Sequence, residues 1–175
     1  MIKSYIIAAV TMDGFIAKDE HHPAMWTSKA DKKRFIELTK KAGVIVMGSH
    51  TWKTLGRPLK ERVNIVYSRS QDFSNEGARM TNDDPATLLH KLESEGYKEV
   101  AICGGTHIYT MFMKAKLVDT IYLTIEPIVF GKGLKLFDDD MLFHLELVSS
   151  VQSESAGSLL LEYKVNYSGT QKLKD

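Results

Sequence analysis

Asp31 is the acid on which the chemistry of this chain can be hung. It follows Trp26-Thr27-Ser28-Lys29-Ala30, and Phe35 lies four residues beyond it, so the acid and the ring share one face of a helix. A second cluster runs Gly48-Ser49-His50-Thr51-Trp52, then Leu55-Gly56-Arg57-Pro58-Leu59, and ends at Arg62. One carboxylate, two guanidiniums and a turn able to hold an anion suit a charged heterocyclic substrate and a phosphorylated cofactor. Asp31 has two readings. Ser28 followed three residues later by an acid is a capping-box pattern, in which the carboxylate only satisfies a backbone amide. Alternatively, a carboxylate at the mouth of a loop and beside aromatic rings has its pKa pushed upward, and it can anchor a protonated or amidine-like ring edge through two parallel hydrogen bonds.

Gly104-Gly105 lies between an apolar strand and a helix, where the backbone can approach a diphosphate and the helix start offers unpaired amides. Gly48-Ser49-His50-Thr51 repeats that arrangement, and Ser68-Arg69 follows a third strand, so one extended dinucleotide could bridge several strand ends. A full G-x-G-x-x-G fingerprint and a phosphate loop ending in Gly-Lys-Ser/Thr are both absent. Arg57 and Arg62 are either solvated or a bidentate site for a substrate carboxylate. His21-His22 has no carboxylate or cysteine cluster beside it, and no metal site is expected. Cys103, the one cysteine, reads as a small core residue lining the cofactor pocket, and there is no G-x-S-x-G elbow.

The elements that must position these groups alternate. Tyr5 to Val10, Val44 to Met47, Val63 to Tyr67, Glu99 to Cys103 and Asp119 to Glu126 have strand character. Helices are expected over Ser28 to Lys41, Ser49 to Leu55, from Asp84-Pro85 to a stop at Gly96, and over Thr106 to Ala115. Thr11 to Thr27 reads as a long structureless connection, which in a compact domain is usually functional or disordered. Phe143 to Gln152 and Leu159 to Val165 form an antiparallel hairpin joined through Ser153 to Ser158, and the polar tail after Tyr167 frays. The expected fold is a three-layer α/β sandwich, with a mostly parallel central sheet, an antiparallel C-terminal hairpin at one edge and helices on both faces. A single domain over residues 1–167 and a tail over 168–175 are expected.

Composition excludes other classes. A chain of 175 residues can bury one core without metals or disulfides. A formal charge of +1 gives no global attraction to nucleic acid or membrane, so neither is expected as a partner. No stretch approaches the roughly 20 apolar residues that span a bilayer, and nothing at the start resembles a signal peptide. A single cysteine fits a reducing compartment, so the cytoplasm is expected.

Taken in order, Ile7-Ala8-Ala9, Trp26 with Asp31 and Phe35, Val46-Met47-Gly48, His50-Thr51-Trp52, Leu55-Gly56-Arg57-Pro58-Leu59, Arg62, Asn64-Ile65-Val66, Ile102, Gly104-Gly105, Tyr109 and Tyr122-Leu123-Thr124 resemble the dihydrofolate reductase family. The resemblance runs from Ile6 to the final hairpin. It implies a dihydrofolate reductase-like fold and NADPH-dependent reduction of 7,8-dihydrofolate to tetrahydrofolate for one-carbon metabolism, an antifolate target. Hydride would reach C6 once N5 is protonated. By this likeness Asp31 holds the pteridine and promotes protonation, Thr124 supports the acid, and Trp26 joins them as a catalytic residue. Ile7, Phe35 and Leu55 would sandwich the substrate, Arg62 would bind its glutamate, and Ala9, Lys32, Thr51, Arg57, Leu59, Cys103 and Tyr109 complete the substrate set. The cofactor set is Ala9, Ile16, Gly48, Ser49, His50, Thr51, Ser68, Arg69, Cys103, Gly104, Gly105, Thr106, His107, Ile108 and Tyr109. The Thr11 to Thr27 segment resembles the family's mobile loop over the nicotinamide. The expected partner is the small-molecule substrate, and the chain is expected as a monomer, with a homodimer left open.

Departures from the pattern carry information. Ser49 stands where an arginine often grips the cofactor's 2′-phosphate, so a preference for NADPH over NADH rests on His50, Ser68 and Arg69. Lys32 replaces an apolar substrate contact, and Ala24-Met25 precede Trp26 where a proline is common. Thr11 to Ala17, Leu117 to Pro127 and Gly131 to Phe137 resemble the riboflavin-pathway reductase domain, which shares the fold. The alternative activity is therefore reduction of a ribosylamino-pyrimidine phosphate.

Overall fold

The computed structural model describes residues 1–153 and 157–168. The centre of the expected hairpin loop and nearly all of the polar tail fall outside those residues. The chain runs β1 (Lys3–Thr11), β2 (Phe15–Ala17), α1 (Lys29–Ala42), β3 (Val44–Gly48), α2 (Ser49–Leu55), β4 (Val63–Tyr67), β5 (Arg79–Thr81), α3 (Pro85–Ser94), β6 (Glu99–Ile102), α4 (Thr106–Lys114), β7 (Thr120–Glu126), β8 (Leu134–Lys135), β9 (His144–Gln152) and β10 (Leu159–Asn166). Short 3₁₀ turns sit at Ala24–Trp26 and Ser74–Glu76.

Eight strands form one sheet in the order β5-β4-β3-β6-β1-β7-β10-β9. The pairings from β5 through β7 are parallel, whereas β10 runs antiparallel to both β7 and β9. The central strands are near-continuous apolar runs because both faces are covered. Alternation along β3 proves the point: Val44 and Val46 pack with Leu88, Leu92, Ile108 and Phe112 of α3 and α4, while Ile45 and Met47 pack with Ala42 and Trp52 of α1 and α2. The three-layer α/β fold with an antiparallel C-terminal hairpin is thus observed.

Capping explains the helix starts. Ser28 Oγ accepts from the Asp31 amide at 3.2 Å, and Asp84 Oδ1 accepts from the Ala86 and Thr87 amides at 3.1 Å ahead of Pro85. The Thr11 to Thr27 segment is not structureless. β2 pairs with β8, and the Asp13 carboxylate accepts from the Gly131 amide at 2.7 Å, the Phe130 amide at 3.2 Å and Thr11 Oγ1 at 2.6 Å. These hydrogen bonds hold its Asp13 pKa below the ordinary carboxylate value, the Thr11 hydroxyl most of all.

Candidate active site

The site lies where the strand order reverses. β3 and β1 follow one another in the chain but are separated in the sheet by β6, which leaves a crevice beyond their carboxyl ends, the usual seat of a ligand in such sheets. A cleft of about 1250 Å³ opens there. Its walls come from the end of β1 (Ile7, Ala8, Ala9), the loop and turn before α1 (Ile16, Trp26, Thr27), α1 (Asp31, Phe35), the β3–α2 junction (Gly48 to Thr51), the end of β4 (Tyr67, Ser68, Arg69) and the β6–α4 turn (Cys103 to Tyr109).

Every residue of the expected cofactor set lines this cleft. The β6–α4 turn is sewn to β3 by Cys103 N–H donating to Val46 O and Gly48 N–H donating to Gly104 O, each at 2.8 Å. Gly104 has φ +118, and a Cβ there would stand 3.2 Å from Tyr109 Oη and 3.4 Å from Thr51 Oγ1, so only glycine fits without displacement. α2 and α4 both begin without a side-chain cap, and the residues of their first turns line the cleft. Tyr109 Oη donates to Ile7 O at 2.9 Å, tying α4 to β1, and burial holds its phenol well above its ordinary pKa. Burial likewise raises the Cys103 thiol, leaving it neutral.

Asp31 is 9 % exposed and lines the cleft. Burial raises its pKa; hydrogen bonds from the Thr124 and Thr27 hydroxyls oppose that, the charge of Glu126 adds to it, and Arg34 pulls it back. The capping-box reading fails on one contact. The Ser28 amide, which a reciprocal box would give to the acid three residues on, instead donates to Glu126 Oε1 at 2.8 Å. Asp31 is therefore free of its own helix start.

Among the described residues, the buried side-chain polar atoms without a partner are His22 Nδ1, Trp26 Nε1 and Tyr67 Oη, and all three residues line the cleft. Unpaired polar atoms are costly in a folded interior, so their concentration at one surface marks a place built for a ligand or for water. Trp26 and His22 both pack edge-on to Phe130, with ring centroids 5.1 and 5.4 Å away. His21 points away, 6.4 Å from His50, whose Nδ1 lies 3.0 Å from Glu20.

The other expected substrate residues divide between the cleft and the rest of the molecule. Ile7, Ala9, Phe35, Thr51, Cys103 and Tyr109 face the cleft, and Thr124, 1 % exposed, sits behind Asp31. Leu55 and Leu59 pack against the core on the α1/α2 face. Lys32 and Arg57 are exposed and off the cleft lining. Arg62 is half-buried, its Nη1 donating to Thr39 Oγ1 at 2.7 Å and its Nε to Lys60 O at 2.8 Å, also away from the lining. Glu126, Tyr67 and Thr27 were not among the residues singled out from the sequence. Tyr67 ends a strand at the cleft, a signal available in the pattern; Glu126 depends on a contact 98 positions away.

This fold and site define an α/β protein with an extended cleft across the carboxyl ends of parallel strands and a buried acid, Asp31, in its wall. A family model described as dihydrofolate reductase matches residues 3–130, and the chain belongs to that family of oxidoreductases. Dihydrofolate reductase type 3 of Salmonella typhimurium is 34% identical over 119 residues, covering 68% of each chain. Two solved structures share the fold. A pyrimidine reductase-like protein from Corynebacterium diphtheriae has a TM-score of 0.80 at 19% identity, covering 94% of this chain and 92% of its own. Dihydrofolate reductase from Enterococcus faecalis, complexed with NADP(H) and RAB-propyl, has a TM-score of 0.77 at 24% identity, covering 94% and 96%.

Proposed function

We propose that the protein reduces 7,8-dihydrofolate to 5,6,7,8-tetrahydrofolate with NADPH, and serves one-carbon metabolism in the cytoplasm. The observation that carries this reading is Asp31: a buried carboxyl, released from its helix cap, at the wall of a cleft large enough for substrate and dinucleotide together. The residues present fit the cofactor, since Gly104 leaves room that a Cβ would fill and the uncapped starts of α2 and α4 offer amides to a diphosphate. NADPH supplies the two electrons as hydride when bound.

The chain's own groups do the rest. Asp31 pairs with the polar edge of the pterin, and its raised pKa keeps a proton within reach of N5, the atom that must be protonated. The Thr124 and Thr27 hydroxyls beside the carboxyl oppose the rise that burial causes. The free Trp26 indole N–H donates to the substrate or to a water beside it, and Phe35 with Ile7 supplies apolar contact to the ring. Ser68, Arg69, His50 and Thr51 line the part of the cleft assigned to the phosphates.

One observation favours the second reading. Arg57 and Arg62 do not line the cleft, and a ribosylamino-pyrimidine phosphate needs no glutamate site. The test is loss of reduced-nicotinamide absorbance with dihydrofolate and, separately, with the ribosylamino-pyrimidine phosphate. Turnover of the pyrimidine alone overturns the folate reading. Arg62→Ala refines it: a KM for dihydrofolate raised about tenfold or more, the usual worth of a charged hydrogen bond, is expected if Arg62 swings to the substrate.

A further inference from the structure

Among the described residues, Glu126 is the one buried carboxylate the mechanism above does not use. It ends β7, is 2 % exposed and does not line the cleft. Both its oxygens are engaged: Oε1 accepts from the Ser28 amide at 2.8 Å, and Oε2 from Ser158 Oγ at 2.5 Å. Ser158 is itself fully buried ahead of β10. Ser28 in turn caps α1 through the Asp31 amide. A chain of contacts thus runs from β10 through β7 to the first turn of α1.

We propose that Glu126 is a positioning residue for Asp31: by taking the Ser28 amide it docks the start of α1 on β7 and leaves the Asp31 carboxyl free to face the cleft. An apolar residue would strand a buried amide and hydroxyl, and the acid three residues on, Asp31, is the acceptor that a capping box offers such an amide. The groups that act on Asp31 are Thr27 ahead of its helix, Arg34 on α1, Thr124 and Glu126 on β7, and Tyr109 on α4, whose hydroxyl is spent on Ile7 O. Glu126 is the one nearby carboxylate among them, so it holds the Asp31 proton more firmly as well as orienting the group. This inference rests on the reductase reading for its kinetic arm only.

The test has two arms. In ligand-free protein, the carboxyl ¹³C resonance of Asp31 is titrated in the wild type and in Glu126→Gln, which keeps the shape and removes the charge. The midpoint is expected to fall in this variant, and also in Glu126→Ala, where the Ser28 amide is freed to pair with the Asp31 carboxyl; an unchanged midpoint in both overturns the proposal. In turnover with dihydrofolate, Glu126→Gln moves the alkaline decline of kcat/KM to lower pH, while Glu126→Ala loses about tenfold to a hundredfold in kcat/KM with an unchanged KM for NADPH. Ser158→Ala gives a smaller loss in the same direction and serves where Glu126→Ala does not fold. Wild-type kcat/KM and pH profile in all three variants also overturns it. A wild-type protein inert to dihydrofolate defeats the folate reading instead, and the resonance titration still decides the role of Glu126.

Discussion

In the proposed reaction Asp31 trades stability for chemistry. Burial disfavours its charged form, so the folded chain holds this proton to higher pH than the unfolded chain does. The group's contribution to stability is therefore greatest in acid and falls as pH rises from the unfolded to the folded pKa. Asp31→Asn removes an ionisation that burial penalises. Thermal melts should show Tm raised at neutral pH, by about 2–4 °C for each kcal/mol relieved, with the gain vanishing in acid. Turnover of the same variant should drop about a hundredfold or more while NADPH binds as before; a Tm difference independent of pH would contradict the desolvation argument. Tyr67 makes a second case. Its buried hydroxyl has no partner, and burial raises its pKa beyond the ordinary phenol range. Tyr67→Phe should leave the melting point unchanged or slightly higher and weaken NADPH about fivefold to tenfold by calorimetry, the loss of one hydrogen bond. Equal affinity would remove Tyr67 from the cofactor wall.

At the scale of elements, the loop between β1 and α1 is held by backbone contacts that leave room for no side chain. A Cβ on Gly133 would lie 2.2 Å from Ala17 O, and β8 could not then pair with β2. Gly133→Ala should cost about 1–3 kcal/mol and raise the hydrogen-exchange rates of the Phe15–Ala17 amides, whereas unaltered exchange would show that this short sheet does not restrain the loop. That sheet also marks the boundary of what the sequence could reveal. β3, β4, α2 and α3 were legible because each carries a local signal: an apolar run ending at Gly48, the strand Val63–Tyr67, the breaker at Gly56, and Asp84-Pro85. β2, β5 and β8 have three residues or fewer, and their hydrogen-bond partners are distant in the chain, so no periodicity announces them. The cleft followed the same division. Glycine turns after strands pointed to its cofactor wall, whereas the decision between cap and anchor at Asp31 depended on Glu126 and Ser158, which only tertiary contact brings to Ser28.

For the whole molecule, the cleft joins parts of the chain that otherwise meet only through the sheet. β1, α2, the end of β4 and the start of α4 all contribute walls, so a dinucleotide lying along it would bridge both sides of β6. The net charge is close to zero, and acids (Asp19, Glu20, Asp83, Asp84) share the lining with Arg69, His50 and Lys135. Anion binding must then come from local amides and these few basic side chains rather than from a bulk field. A ligand that binds only the folded state adds about 2.7 kcal/mol of stability at a hundredfold excess over its Kd, which for a chain of this size raises Tm by about 5–10 °C. NADPH at that excess should produce such a shift. On the proposed reading, with Ser49 where the family often has an arginine, discrimination against NADH would rest on His50, Ser68 and Arg69, so NADH at equal concentration should give a smaller shift, and Arg69→Ala should bring the two curves together. Equal shifts in the wild type would assign the 2′-phosphate no contact with these residues, and the absence of any shift with either nucleotide would remove the dinucleotide from the cleft.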